Sequence, residues 1–141
     1  MKRIVIAEDN KFCRQSLKRL LVDFEIVCEA ETGNEVLPLI QKTIPDLLIL
    51  DLSLPSKSGI SIVRDLKESY PNLKILILSI HDSELFIKEA IHAGADGYCL
   101  KDEGRKNILT AIETILEGQD YLSPSLRNSK PSESPSRRSV A

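Results

Sequence analysis

Asp51 closes the apolar run Leu47-Leu48-Ile49-Leu50, and two further apolar runs also end in charge: Ile4-Val5-Ile6-Ala7 in Glu8-Asp9, and Gly97-Tyr98-Cys99-Leu100 in Lys101. If these runs are strands lying side by side, Glu8, Asp9, Asp51 and Lys101 meet at one sheet edge as three carboxylates and one ammonium. Mg2+ takes octahedral oxygen coordination, keeps several waters, and usually accepts one or two protein carboxylates plus phosphate oxygens. Asp9 and Asp51, with Glu8 acting through water, suit that half-shell. Without a cation, converging carboxylates repel one another and raise at least one pKa, so a bound cation explains the cluster better than packing does. Asp51 could then attack phosphorus and carry an aspartyl phosphate, with Mg2+ and Lys101 neutralising the charge that phosphoryl transfer develops. Ser79 ends a fourth run at the same edge and could hydrogen-bond a phosphoryl oxygen. A single acid after a strand is usually just solvated. The specificity lies in acids after the first and third strands combined with a lysine after the fifth.

The elements that must position these groups can be read from periodicity. Short apolar runs without alternation are the mark of strands buried on both faces, as in parallel sheets covered by helices. Strands are expected at Arg3 to Ala7, Glu25 to Ala30, Asp46 to Leu50, Lys74 to Ser79 and Gly97 to Leu100. Between and after them lie helical stretches at about Lys11 to Val22, Glu35 to Lys42, Ile60 to Ser69, Ser83 to Ala93 and Arg105 to Glu117. Apolar residues recur at helical spacing in several of them, as in Leu17, Leu20 and Leu21. Asn34 and Asp82 or Ser83 suit N-caps, and Gly94 and Gly118 suit helix ends. Pro38 near the first turn of the second helix predicts a short or bent helix. Strands alternating with helices favour right-handed βαβ crossovers. The expected fold is α/β, a doubly wound five-stranded parallel sheet of the flavodoxin-like (βα)5 kind with strand order 2-1-3-4-5. In such sheets ligands bind beyond the carboxyl ends of the strands.

Composition limits the alternatives. The 141 residues suit one domain, and 19 Lys and Arg against 21 Asp and Glu leave a net charge of −2, with no basic field for binding nucleic acid. The apolar runs are too short to span a bilayer, and the N-terminus lacks the features of a signal peptide, so a cytoplasmic protein is expected. Cys13, Cys28 and Cys99 show no Cys-x-x-Cys spacing and read as buried thiols rather than redox or metal groups. From Ser123 the chain turns to Ser, Pro, Arg and Lys. The expected organisation is therefore a domain over residues 1–122 and a disordered tail over 123–141.

Taken together, these residues resemble the receiver domain of bacterial two-component response regulators, over about Met1 to Leu122. On that resemblance Glu8 and Asp9 match the metal-binding acids, Asp51 the phosphoacceptor, Ser79 the switch hydroxyl, Tyr98 the switch aromatic and Lys101 the phosphate-contacting lysine. The loop from Asp51 through Pro55 to Gly59 is similar to the family's loop after the acceptor, in which the backbone carbonyl of Ser53 would complete the metal shell. Leu78-Ser-Ile-His-Asp82 and Ala93-Gly-Ala-Asp-Gly-Tyr-Cys-Leu-Lys-Asp102 look most like the LuxR-type subgroup, which usually carries a helix-turn-helix domain. Three departures stand out. Glu8 replaces an Asp, Asp102 follows Lys101 where proline is frequent, and the 19 residues after Leu122 are expected to be too few for a helix-turn-helix unit.

The resemblance implies a stand-alone receiver that takes a phosphoryl group on Asp51, with Mg2+, from a histidine kinase or phosphotransfer protein and signals through protein contacts. It is expected not to be an enzyme beyond its own phosphorylation and hydrolysis, and not to bind nucleic acid or membrane itself. One alternative is the receiver part of a LuxR-type transcriptional regulator whose DNA-binding domain is absent. Another is an aspartyl-phosphate Mg2+-dependent phosphohydrolase, disfavoured because Ser53 stands where a second acid is needed. A flavodoxin-like cofactor reading fails on Glu8-Asp9-Asn10, which would repel a phosphate unless a cation intervened. A phosphoryl group drawing the Ser79 hydroxyl inward would vacate space for the Tyr98 ring. His81 could modulate dephosphorylation, though a solvated loop histidine is the stronger reading. Phe12 is either an exposed contact for the kinase or core.

Overall fold

A computed structural model describes residues 1–127 of the chain. Six parallel strands, β1 (Arg3–Ala7), β2 (Glu25–Ala30), β3 (Leu47–Asp51), β4 (Lys74–Ser79), β5 (Gly97–Leu100) and β6 (Tyr121–Leu122), form one sheet in the order β2-β1-β3-β4-β5-β6. The five helices that cover it are α1 (Lys11–Leu20), α2 (Gly33–Thr43), α3 (Gly59–Ser69), α4 (Glu84–Ala93) and α5 (Arg105–Leu116). The expected doubly wound fold and the order of its first five strands are present. The expected count of five strands is corrected to six. Tyr121 and Leu122 pair with Gly97 and Tyr98, a run too short to carry any periodicity.

The central strands are apolar on both faces because each face meets helices. Ile4, Ile6, Ile49, Leu76, Leu78 and Cys99 pack with Leu17 and Leu21 from the α1 region and with Ile108, Ile112 and Ile115 of α5. The alternate residues Val5, Leu48, Leu50, Ile75, Ile77 and Tyr98 pack with Val36, Ile40, Ile62, Val63, Leu66 and Ala90 of the helices on the other side. Successive side chains of a strand point to opposite faces. Every residue of β1, β3, β4 and β5 except the first of β1 and of β4 is consequently buried.

Helix ends follow local chemistry. Asn10 and Ser83 accept N–H bonds from Cys13 and Phe86 at the starts of α1 and α4. The expectation of Asn34 as the cap of α2 is corrected. The helix begins at Gly33, where the Glu35 carboxylate accepts the N–H groups of Glu31 and Thr32. That earlier start puts Pro38 in the second turn, and the helix continues through it to Thr43. Gly94 ends α4 at φ 115°, a backbone region costly for residues with a Cβ.

The packed chain does not end at Leu122. Ser123 is fully buried, its N–H donates to Tyr98 O at 3.0 Å, and its Oγ accepts the Leu100 N–H at 2.8 Å. A short helical turn follows at Pro124–Arg127, which buries Leu126 and places the Arg127 guanidinium over the Tyr121 ring. The Ser123 hydroxyl supplies a hydrogen bond that composition does not reveal, and the packed residues extend at least to Arg127. The rest of the expected tail, 128–141, lies outside the described residues. Replacing Ser123 with Ala would leave the buried Leu100 N–H without its acceptor, which costs about 1–3 kcal/mol. Thermal melts of Ser123→Ala should show a midpoint several degrees below wild type. An unchanged midpoint would mean that the segment contributes nothing to stability.

Candidate functional site

Because β1, β3 and β5 are parallel and near neighbours, their carboxyl ends bring Glu8, Asp51 and Lys101 to one edge. The Lys101 ammonium lies 2.8 Å from Glu8 Oε1 and 3.2 Å from Asp51 Oδ2. Glu8 and Asp51 are only 2% and 4% exposed, so this pair of acids shares one cation in a largely desolvated place. Asp9 is exposed, yet carboxylate oxygens of Glu8, Asp9 and Asp51 all lie within 4.8 Å of one another. All the groups that the sequence assigned to the cluster are therefore together.

The loops fix these side chains through the backbone. Asp51 Oδ1 accepts the Ser53 N–H at 2.9 Å, which turns the chain directly after the strand. Gly59 lets that loop return closely, since a Cβ there would stand 2.9 Å from Leu52 Cα. Glu8 Oε2 accepts the Asn10 N–H at 3.0 Å. Glu8 Oε1 is buried without a well-aligned hydrogen bond and is held by the ion pair to Lys101 alone. Burial pushes the Glu8 carboxyl above its ordinary value and the Asp51 charge adds to this, against the lowering by Lys101 and the Asn10 N–H. Burial alone would lower the Lys101 ammonium, but its bond to Glu8 and the two carboxylate charges outweigh that and raise it. An all-oxygen donor set that gathers three carboxylates around one ammonium suits a hard divalent cation.

Ser79 and Tyr98 occupy the neighbouring strand ends. Ser79 is fully buried and its Oγ accepts the His81 N–H at 2.9 Å, while the Tyr98 hydroxyl donates to His81 O at 2.7 Å. One residue's backbone thus bridges both. The ring of Tyr98 is fully buried. Burial raises the Tyr98 phenol above its ordinary value, with a smaller opposing effect from Ser79. The His81 imidazole stacks on Phe86, centroids 4.6 Å apart. Phe12 is 79% exposed, and the Lys101–Asp102 peptide is trans. Cys99 is buried, while Cys13 and Cys28 are half-buried.

Sequence reasoning missed Arg14. It lies in the apolar stripe of α1 with Leu17 and Leu21, is 9% exposed, and its Nη1 donates to Glu8 O at 2.8 Å. A charge inside an apolar stripe was the available signal. A cavity of about 160 Å3 between α1 and α5 opens beside the cluster and is lined in part by Glu8, Cys13, Lys101 and Arg105.

Comparison with known proteins places these features in context. The family described as response regulator receiver domain matches residues 4–113. The transcriptional regulatory protein DegU of Brevibacillus brevis is 34% identical over 86% of this chain and 53% of its own length. The oxygen regulatory protein NreC of Staphylococcus haemolyticus is 35% identical over 90% of this chain and 60% of its own. The chain thus spans about half to three-fifths of the length of these curated relatives. A crystal structure of a LuxR-family two-component response regulator from Aurantimonas sp. SI85-9A1 superposes with a TM-score of 0.86 at 31% identity, covering 91% of this chain and 94% of the other. Among the described residues no helix is long and apolar enough to cross a membrane.

The raised Glu8 carboxyl sets a pH dependence. An acid whose folded value exceeds its ordinary 4.5 binds more proton folded than unfolded just above that pH. Its contribution to stability is therefore greatest below 4.5 and declines as pH rises through the folded value. Metal-free Glu8→Gln should lack that decline in denaturant titrations across this window. An identical pH profile for the two proteins would show that Glu8 carries no such penalty.

Proposed function

The chain belongs to the response regulator receiver domain family, and from that premise we propose that it accepts a phosphoryl group on Asp51 from the phosphohistidine of a histidine kinase or phosphotransfer protein. The observation that carries the reading is the pairing of buried Asp51 with Lys101 inside the carboxylate cluster. Asp51 Oδ1 is held by the Ser53 N–H and Oδ2 faces Lys101, so the carboxylate is oriented before any donor arrives. Its oxygen would attack phosphorus as the bond to the imidazole nitrogen breaks; with the other ring nitrogen of the phosphohistidine protonated, the products are neutral imidazole and an aspartyl phosphate. Lys101 would exchange its contact with Asp51 for one to a phosphoryl oxygen, and Ser79 would donate its hydroxyl proton to another. Glu8, Asp9, Asp51 and the Ser53 carbonyl are the groups proposed to hold Mg2+, which when bound would neutralise phosphoryl charge.

Output would pass through His81, whose backbone joins Ser79 and Tyr98. When the Ser79 hydroxyl turns to the phosphoryl group, the His81 N–H loses or weakens its acceptor, and the carbonyl of the same residue carries the Tyr98 bond. Moving such an equilibrium from 1:99 to 99:1 takes about 5.5 kcal/mol, more than one hydroxyl bond supplies, so Lys101 and the cation must contribute. His81 would modulate dephosphorylation only by leaving its stack on Phe86. The chain is read as a signalling protein acting in the cytoplasm through a protein target, without contacting nucleic acid itself. The second reading, the receiver part of a longer LuxR-type transcriptional regulator, is favoured by the greater length of the relatives.

Incubation with Mg2+ and acetyl phosphate should add one base-labile phosphoryl group by intact-protein mass spectrometry. Asp51→Asn should lose it, and EDTA should abolish it. Equal labelling of both proteins would remove Asp51 as acceptor. Ser79→Ala should still label yet give reduced amide NMR shifts along α4 and β5 on phosphorylation. Full shifts in that variant would mean that the signal leaves the site by another route.

A further inference from the structure

We propose that Arg14 is a positioning residue for cation binding, because its guanidinium fixes the plane of the Glu8–Asp9 peptide and thereby aims the Asp9 carboxylate into the cluster. The inference rests on reading that cluster as a Mg2+ site. No hydrogen bond or ion pair among the described residues holds the Asp9 carboxylate. Its direction is inherited from the backbone. On one side of the Glu8–Asp9 peptide, Glu8 N–H donates to Ala30 O at 2.9 Å, and on the other, Asn10 N–H donates to the Glu8 side chain at 3.0 Å. The carbonyl of that peptide, Glu8 O, is held by Arg14 Nη1 at 2.8 Å. A peptide is planar, so fixing its carbonyl fixes the N–H of Asp9 and restricts where the Asp9 Cβ can point.

Arg14 is itself immobilised. Its Nε lies 3.2 Å from Glu29 Oε1 and its Nη2 3.1 Å from Glu31 Oε2. The rigid fork of a guanidinium can hold a carbonyl and two carboxylates at once, which an ammonium on a flexible stem cannot. Two acids also balance the Arg14 charge locally. The contribution to cation binding is therefore one of geometry rather than of field.

The test is calorimetric titration of the full chain with Mg2+, comparing wild type, Arg14→Gln, Arg14→Lys and Glu31→Gln at low and high salt, with thermal melts and the amide NMR shift of metal-free Asp9. Arg14→Gln should bind Mg2+ about tenfold more weakly or worse, in line with the loss of a partner that orients a ligand. The factor should be the same at both salt concentrations, since an effect of charge would be screened. Arg14→Lys should fall between, Glu31→Gln should stay near wild type, and the Asp9 amide should shift in both Arg14 variants. A folded Arg14→Gln that binds like wild type overturns the inference. So does an equal loss in Glu31→Gln, which would trace the effect to the ion pair with the β2 end. Should Arg14→Gln not fold, Arg14→Lys decides by the same criterion. If wild type binds no Mg2+, the reading of the cluster fails instead, and an unmoved Asp9 amide in the folded variants would still overturn the positioning.

Discussion

Two nearly buried carboxylates share one lysine ammonium at the carboxyl edge of the sheet, and this crowding of like charge is the constraint on which the site depends. Removing ionised carboxyls from water is unfavourable unless opposite charge is close. Lys101 supplies one positive charge for Glu8 and Asp51, and Asp9 adds a third acid at the rim. The arrangement is thus short of positive charge by construction. Parallel topology makes the shortage possible, because strand ends that are distant in sequence arrive side by side without any side chain having to reach.

The constraint explains how the surrounding polar groups are arranged. Backbone N–H groups of Ser53 and Asn10 point at the two buried acids, and Arg14 turns toward a backbone carbonyl and two acids of the β2 end rather than toward the cluster. The Arg14 charge is thereby kept away from the carboxylates, which leaves Lys101 as their cationic partner among the described residues and the cluster open to a further cation or a phosphoryl group. A lysine needed to release one partner for another is better held by ion pairs than by a fixed fork.

The strands of the centre were legible because both their faces are buried, which writes them as uninterrupted apolar runs ending at the chemistry. Glu8, Asp51 and Lys101 follow from that punctuation directly. What was not legible depended on single contacts. The start of α2 turned on the Glu35 carboxylate reaching back to Thr32, which outweighed the preference of Asn34 for a cap. β6 is two residues long, and its existence rests on the edge of β5 and on the Ser123 hydroxyl. Arg14 could be seen in sequence as a charge in an apolar stripe, but its partner is a carbonyl and carbonyls carry no sequence signal. The hydroxyl of buried Tyr98 finds its partner in His81 O, again a backbone atom.

The pairing of β6 with β5 also bears on self-association. A bare edge strand is a template on which another chain can add a strand. Here the β5 edge is taken by the protein's own Tyr121 and Leu122, after which the backbone leaves the ladder for the turn at Pro124–Arg127. The opposite edge, β2, carries Glu25 and Glu29, with Lys18 2.7 Å from Glu29, and such charged side chains oppose strand addition. Among the described residues neither margin invites a neighbour to extend the sheet. Short or charged margins of this kind disfavour growth of the sheet from either side and leave helices and loops, whose side chains can discriminate, as the surfaces better suited to telling one partner from another.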